Sequence, residues 1–142
     1  MITGFTILSV EGKIDSIDVL ARQKFPKLNT TFESLTAEGN KLKVKYSFVA
    51  DYADSDAKDA KSVGHLKLAG EVEVEESKDV VADVLKKWNE KHMLPVSLAE
   101  EIINGLNFRC SATGTLVAYS LGLIPPLVIS SVKIQEPSGS QK

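Results

Sequence analysis

The sequence offers few side chains whose type and spacing suit catalysis or metal binding. Its two histidines, His65 and His92, lie in no spaced motif with cysteine, aspartate or glutamate that is typical of a metal site. The single cysteine, Cys110, falls on the apolar side of a predicted helix, which favours a small buried hydrophobe over a nucleophile. The sequence contains no nucleophile-elbow, phosphate-loop or dinucleotide-binding pattern. We therefore predict that the protein is not an enzyme and uses no cofactor or metal.

Carboxylates are concentrated in "EVEVEESKD", where paired acidic side chains could perform acid–base chemistry. Glu71 and Glu73 alternate with valines, so they are predicted to line the outer face of a strand. A solvated acidic face is the simpler interpretation, but such a face can also dock a basic partner. Glu71 and Glu73 are the predicted docking residues in that case.

Length, composition and charge restrict the class of protein. The 142 residues, 43% of them hydrophobic and 25% charged, suffice for one domain with a single core. A formal net charge of −2 favours neither nucleic acid nor an anionic membrane as a partner. One cysteine permits no internal disulfide, and the start "MITGFTILSVEGK" lacks a basic leader, so a cytoplasmic location is expected.

One uncharged stretch, "SATGTLVAYSLGLIPPLVISSV", is about as long as a transmembrane helix. Pro125 and Pro126 would break such a helix, because proline lacks the N–H that helical hydrogen bonding needs. No membrane insertion is therefore expected. The prolines instead predict a helix end followed by a short strand, "LVISSVKI".

The first half of the chain has the period of strands. "KLKVKYSFVADY" and "GHLKLAGEVEV" alternate apolar and charged residues, so each has one face for a core and one for water. The polar connection "ADSDAKDAKS" between them is predicted to be a solvated hairpin tip. "ITGFTILSVEG" and "KLNTTFESL" are weaker candidates that complete an antiparallel sheet of about four strands.

The second half has the period of helices. Ser77 is predicted to cap "KDVVADVLKKWNEKH", and Ser97 with Glu100 is predicted to form the capping box of a long helix that runs to Gly122. Strands followed by helices predict an α+β fold, with an antiparallel four-stranded sheet and the long helix packed on one face. We expect a single domain over residues 1–134 and a disordered tail over 135–142.

The long helix lacks a charged outer face. A broad apolar side is predicted to pack on the sheet, formed by Leu98, Ala99, Ile102, Ile103, Leu106, Cys110, Leu116, Val117 and Leu121. Arg109 is the sole charged residue between Ile102 and Val132. Because an outer helix face in water is normally charged, the outer side of this helix is expected to be covered. If a second copy of the chain covers this outer side, the predicted interface consists of Asn104, Phe108, Ser111, Ala112, Thr115, Ala118 and Tyr119. The alternative is that the first helix, with Trp88, lies across that side.

The order of these elements resembles that of the SecB-type export chaperones and their short archaeal relatives. A sheet ends in "HLKLAGEVEV", and a crossover segment follows in "SKDVVADVLKKWNEKHMLP". A long helix, "SLAEEIINGLNFRCSATGTLVAYSLG", then leads into "IPPLVISSVKI", which is similar to the family's helix, Pro-x-Leu and apolar extended segment. The sequence "LGLIPP" is also similar to that of the short archaeal relatives.

This resemblance implies a function without catalysis. It implies ATP-independent holding of non-native polypeptides in hydrophobic grooves, by a homo-oligomer that is a dimer or a tetramer stacked through the long helices. The counterparts of the family's groove are Trp88, Met93 and Leu94, and the apolar residues Leu123 and Ile124 are added as candidate client contacts. The family docks its motor partner on an acidic sheet face, where Glu71 and Glu73 are the matching residues.

Two other functions remain open from the sequence. A small-molecule-binding protein or enzyme would need a pocket between sheet and helices with converging polar groups, such as His65, Tyr46 or Arg109. The third possibility is a dedicated assembly partner of one protein.

Overall fold

The chain folds into one antiparallel sheet with two helices packed on its inner face. The computed structural model describes residues 1–127, so the predicted strand over 127–134, apart from Leu127, and the predicted tail over 135–142 lie outside the described residues. The strands and helices are β1 (Ile2–Ile14), β2 (Lys27–Glu38), β3 (Lys41–Ala53), β4 (Ser62–Glu75), α1 (Lys78–Lys91) and α2 (Val96–Leu121), with a short 3-10 helix (Ile17–Arg22) between β1 and β2. The sheet order is β1–β4–β3–β2.

The alternating sequence pattern accounts for the strands. In β3, the side chains from Leu42 to Tyr52 at every second position are buried, while Lys41, Lys43 and Lys45 are exposed. The same alternation holds in β4, so these two strands, central in the sheet, carry most of its inner face. The polar connection predicted as a hairpin tip joins them, with Ala53 paired to Ser62 at its base.

Helix α1 begins and ends as its sequence predicts. The Ser77 side chain accepts a hydrogen bond from the Val80 N–H at 3.3 Å, which confirms the predicted cap. Val81, Val84 and Trp88 are buried, and the helix packs against the edge strand β2. It ends at His92, which takes the left-handed conformation (φ 53°).

Helix α2 starts two residues earlier than the predicted capping box requires. Pro95 is the N-cap, and the helix begins at Val96 without a side-chain cap, so the capping box of Ser97 and Glu100 is wrong. Pro95 has an extended backbone (φ −55°, ψ 143°), and Ser97 therefore already lies within the first helical turn. The predicted end is confirmed, because Gly122 adopts φ 77°.

The small residues of α2 make room for parts of the same chain. Helix α2 packs over β1 and β4. A Cβ at Gly105 would overlap the Phe5 ring of β1, and a Cβ at Gly114 would lie 3.0 Å from Pro126. These glycines therefore serve close packing within the subunit and not the approach of a second helix.

The chain after α2 is held by two polar side chains from other elements. The Gln23 amide donates to the Gly122 carbonyl at 2.8 Å and accepts from the Ile124 N–H at 2.7 Å. The Tyr52 hydroxyl donates to the Ile124 carbonyl at 2.6 Å. Because Pro125 and Pro126 prevent the helix from continuing, the backbone groups of Gly122 and Ile124 have no helical partners, and these bonds satisfy them. Leu123, between them in the chain, is buried.

Replacing Gln23 by alanine is expected to lower the free energy of unfolding by about 1–2 kcal/mol, because the half-buried Ile124 N–H loses its acceptor and the exposed Gly122 carbonyl loses its donor. Urea unfolding measures this loss. Ser120→Ala, at an exposed position near the same corner, is the control and should change stability by less than about 0.5 kcal/mol. Equal stability of Gln23→Ala and the unmodified protein would contradict this role of the Gln23 amide.

Candidate functional site

A groove lies at the corner between the end of α1 and the start of α2. Its volume is about 390 Å³, and it is lined by Lys87, Glu90, Lys91, Met93, Leu94, Pro95 and Val96. The floor is apolar, and the charged side chains come from the last turns of α1. Such a surface can bind an apolar segment while the rim remains hydrated.

The left-handed turn at His92 positions the groove residues. The His92 N–H donates to the Trp88 carbonyl at 2.7 Å, which ends α1 and redirects the chain. Met93 then points outward with 46% of its surface exposed, whereas Leu94 is buried in the core beneath it. A thioether side chain at such a site adapts to contacts of different shape.

Trp88 does not line the groove. It is 8% exposed, belongs to the main hydrophobic core and contacts the His92 ring edge-on at a centroid distance of 5.5 Å. In this structure the tryptophan therefore fills the core. A direct client contact of Trp88 would require local opening of α1.

The candidate client residues occupy two separate places. Met93 and Leu94 precede α2, while Leu123 and Ile124 follow it, so the 26 residues of α2, about 39 Å, lie between the two pairs. Leu123 is buried and Ile124 is half-buried. Leu127, the leucine of the segment that resembles the family's Pro-x-Leu, is exposed. Phe25 is a further exposed apolar residue, and nothing in its local sequence pattern marks it.

The outer side of α2 is apolar and uncovered. Phe108 is 77% exposed and Tyr119 is 84% exposed, because α1 packs on β2 and does not reach them. The alternative in which the first helix covers this side is therefore wrong. Leu116, predicted to face the sheet, is 71% exposed, since its position on the helix is about 80° from that of Leu106.

Part of the predicted interface turns toward the protein's own sheet. Ser111 and Ala118 are buried within the single chain, so the assignment of these two residues to an exposed interface is corrected. Asn104 and Thr115 are half-buried at the border, and Ala112 is exposed between Phe108 and Tyr119. The predicted interface includes these two inward-facing residues because the sequence does not fix where the sheet ends beneath the helix.

The acidic residues of β4 face a lysine row on β3. The antiparallel register pairs Lys45 with Glu71 and Lys43 with Glu73. Opposite charges directly across two strands stabilise the sheet by about 0.2–1 kcal/mol per pair. This sheet face therefore presents balanced charge, which weakens the case for Glu71 and Glu73 as an acidic docking site.

The space between sheet and helices is filled by side chains. Tyr46, Phe48, Ile102 and Leu106 are all essentially inaccessible to solvent, and among residues 1–127 no buried side-chain polar atom lacks a hydrogen-bond partner. This packing removes the enclosed pocket that a small-molecule site between the two layers would need.

The polar groups suggested for such a pocket do not converge. His65 is on the outer sheet face, with Nε2 3.7 Å from Glu11 and Nδ1 3.8 Å from Asp15. The Ser62 hydroxyl, which donates to Asp15 at 2.7 Å, holds the pKa of that carboxyl below its usual value. Arg109 instead lies over the Phe5 ring, 4.6 Å from its centroid.

Cys110 is a core residue, as predicted. It is fully buried beside Tyr46, and burial raises the pKa of its thiol to about 11. A neutral thiol at physiological pH is a poor nucleophile. Burial also raises the pKa of the Tyr46 hydroxyl, which donates to the Thr6 carbonyl at 3.2 Å.

Within the part of the chain that the structure describes, no helix is long and apolar enough to cross a bilayer. In the same part, no group of three histidine, cysteine or carboxylate side chains is arranged to hold a metal ion.

The arrangement of four antiparallel strands followed by a short and a long helix on one face is the SecB-like fold. Among solved structures, the chain is similar to the Mycobacterium tuberculosis SecB-like chaperone Rv1957, in complex with a ChAD peptide from the Rv1956 HigA1 antitoxin. The TM-score is 0.60 at 10% sequence identity, over 95% of this chain and 92% of that chain. No protein-family model and no curated protein matches the sequence. The predicted α+β, SecB-like fold is confirmed.

Proposed function

We propose that this protein is an ATP-independent holdase that binds apolar segments of non-native polypeptides. The observation that carries the proposal is the groove between α1 and α2, with its apolar floor and half-exposed Met93, on a SecB-like fold. Binding needs no catalytic group, since the groove works by removing apolar client surface from water.

The shape of the groove favours short, extended client segments. A volume of about 390 Å³ accommodates a few side chains and not a folded domain. Met93 supplies an adaptable contact, so clients of different sequence are accepted. Lys87 and Lys91 at the rim keep the empty groove hydrated, and their aliphatic stems extend its apolar wall.

The proposed working form is a homo-oligomer in the cytoplasm. The exposed apolar side of α2 supports self-association, because Phe108, Leu116 and Tyr119 would otherwise remain in water. Several grooves on one assembly would also bind a long unfolded chain at more than one point, which strengthens retention.

Aggregation of a chemically denatured test protein provides the experiment. We expect the chain, without ATP, to suppress light scattering at a few-fold molar excess of subunits over the test protein. Added ATP should make no difference. Unchanged aggregation at a tenfold excess would refute the proposal.

A second candidate is a dedicated partner of one defined protein. It is favoured by the similar Mycobacterium tuberculosis chaperone, whose structure holds a peptide of one antitoxin. If the chain suppresses the aggregation of one denatured protein and not that of several unrelated ones, this candidate is favoured over a general holdase.

A further inference from the structure

The groove between α1 and α2 carries more positive than negative charge at its rim. Its charged lining residues are Lys87, Glu90 and Lys91, and the rest of its lining is uncharged. The protein as a whole has a formal net charge of −2, so this positive balance is local to the groove. A positive rim around an apolar floor favours a ligand that combines apolar surface with a carboxylate.

The two lysines lie closer to the buried side of α1 than the glutamate does. At 100° per residue, Lys91 and Lys87 lie about 20° and 60° from the buried Val84. Glu90 lies about 120° from Val84, so its carboxylate leaves the helix on the side of the solvent. A segment on the floor of the groove therefore meets the two ammonium groups before it meets this carboxylate.

Lys91 is the cation that is free to bind a ligand. The Lys87 Nζ lies 3.4 Å from the Asp83 Oδ2, one helical turn earlier, and both side chains are more than half exposed. Within residues 1–127, Lys91 makes no ion pair. An exposed ion pair is weak, so Lys87 can exchange Asp83 for another carboxylate, whereas Lys91 needs no exchange.

The two helix ends that meet at the groove leave this balance unchanged. The end of α1 contributes a partial negative charge of about half a unit, and the start of α2 contributes a partial positive charge of similar size. Helix α2 has no side-chain cap and no acidic residue in its first turn, so its partial charge is not offset locally. Because the two partial charges oppose each other, the lysine side chains decide the sign of the field in the groove.

We propose that the groove selects apolar client segments that carry an aspartate or glutamate one or two residues from the side chain that enters it. The entering side chain contacts Met93 and Pro95, and the client carboxylate accepts a hydrogen bond from the Lys91 ammonium. Neighbouring residues of an extended segment lie about 3.3 Å apart, a distance that the flexible lysine stem can span. Segments flanked by lysine or arginine are disfavoured by repulsion. The inference rests on the proposed holdase function and names the client class of the same groove.

Three labelled peptides test this selectivity. They share one apolar segment and differ only in the two residues that flank it, which are both glutamate, both glutamine or both lysine. In low salt, fluorescence anisotropy should give the lowest Kd for the glutamate peptide, a Kd about threefold higher for glutamine, and a further increase of about threefold for lysine. In about 0.5 M salt the three Kd values should converge, because the screening length falls to about 4 Å.

Lys91→Gln should remove most of the preference for the glutamate peptide and leave the Kd of the glutamine peptide within about twofold. Lys86→Gln is the matched control, because Lys86 is an exposed lysine of α1 that does not line the groove. It changes the net charge by the same amount and should keep the preference. Both side chains are exposed, so circular dichroism should show the same fold in both variants.

The outcomes separate this selectivity from the holdase function itself. If none of the three peptides binds, the groove holds no client segment and the proposed function fails with the inference. If the peptides bind equally well in low salt, or the lysine peptide binds most tightly, the selectivity alone is refuted. Equal loss of the preference in Lys91→Gln and Lys86→Gln would assign it to overall charge and overturn the role of the groove rim.

Discussion

Gly70→Ala is expected to lower the free energy of unfolding by about 3 kcal/mol or more, the largest stability effect that we predict for a single methyl group. Gly70 lies on β4, opposite Ile7 of β1 and Tyr46 of β3. A Cβ at this position would overlap the backbone carbonyl of Thr6 and lie 2.7 Å from the Tyr46 hydroxyl. Backbone cannot move aside as a flexible side chain can, so the β1–β4 pairing must separate locally.

The same substitution would displace the hydrogen bond between Tyr46 and the Thr6 carbonyl, which crosses above Gly70. Gly4→Ala is the matched control, because no atom lies within 4 Å of a Cβ built there. Urea unfolding should place Gly4→Ala within about 1 kcal/mol of the unmodified protein. If Gly70→Ala unfolds at the same urea concentration as Gly4→Ala, the close approach of the three strands is not as described.

Met93→Glu is expected to reduce suppression of aggregation by about fivefold or more, measured as the concentration needed for half suppression. Met93 provides the most exposed apolar surface of the groove between α1 and α2. A carboxylate there must lose its hydration when an apolar segment binds, and the adaptable thioether contact disappears. The fold should be unaffected, because the side chain is 46% exposed.

Val80→Glu separates a groove effect from a general effect of surface charge. Val80 lies on α1, is 43% exposed and does not line the groove. An acid in the first turn of a helix is also favourable to the helix dipole, so this control should fold normally. If both variants lose suppression of aggregation equally, the cause is a general charge effect. If Met93→Glu suppresses aggregation as well as the unmodified protein, this groove is not the client-binding site.

The sequence alone was sufficient for the four strands, the two helices and their order. The alternation in β3 and β4 identified the buried face, because side chains of a strand point to opposite faces with a fixed period of two. Ser77 and Gly122 marked two helix ends through backbone hydrogen bonding that is local in the chain. From these elements and their order, the SecB-like fold class followed correctly.

The start of α2 shows where local rules compete. Ser97 and Glu100 match a capping box, yet Pro95 already has the conformation from which the helix starts. Two overlapping start signals cannot be ranked from the sequence, because their difference in free energy is smaller than the contribution of tertiary packing.

Only the tertiary structure decided what surrounds each residue. The pairing of Lys43 with Glu73 depends on strand register, which turned a predicted acidic face into a balanced one. The space that Gly105 leaves on α2 is occupied by Phe5, from the far end of the chain. Periodicity along one element specifies which side faces inward. It carries no information on which atoms of a distant element arrive there, because that is set by packing among residues far apart in the chain.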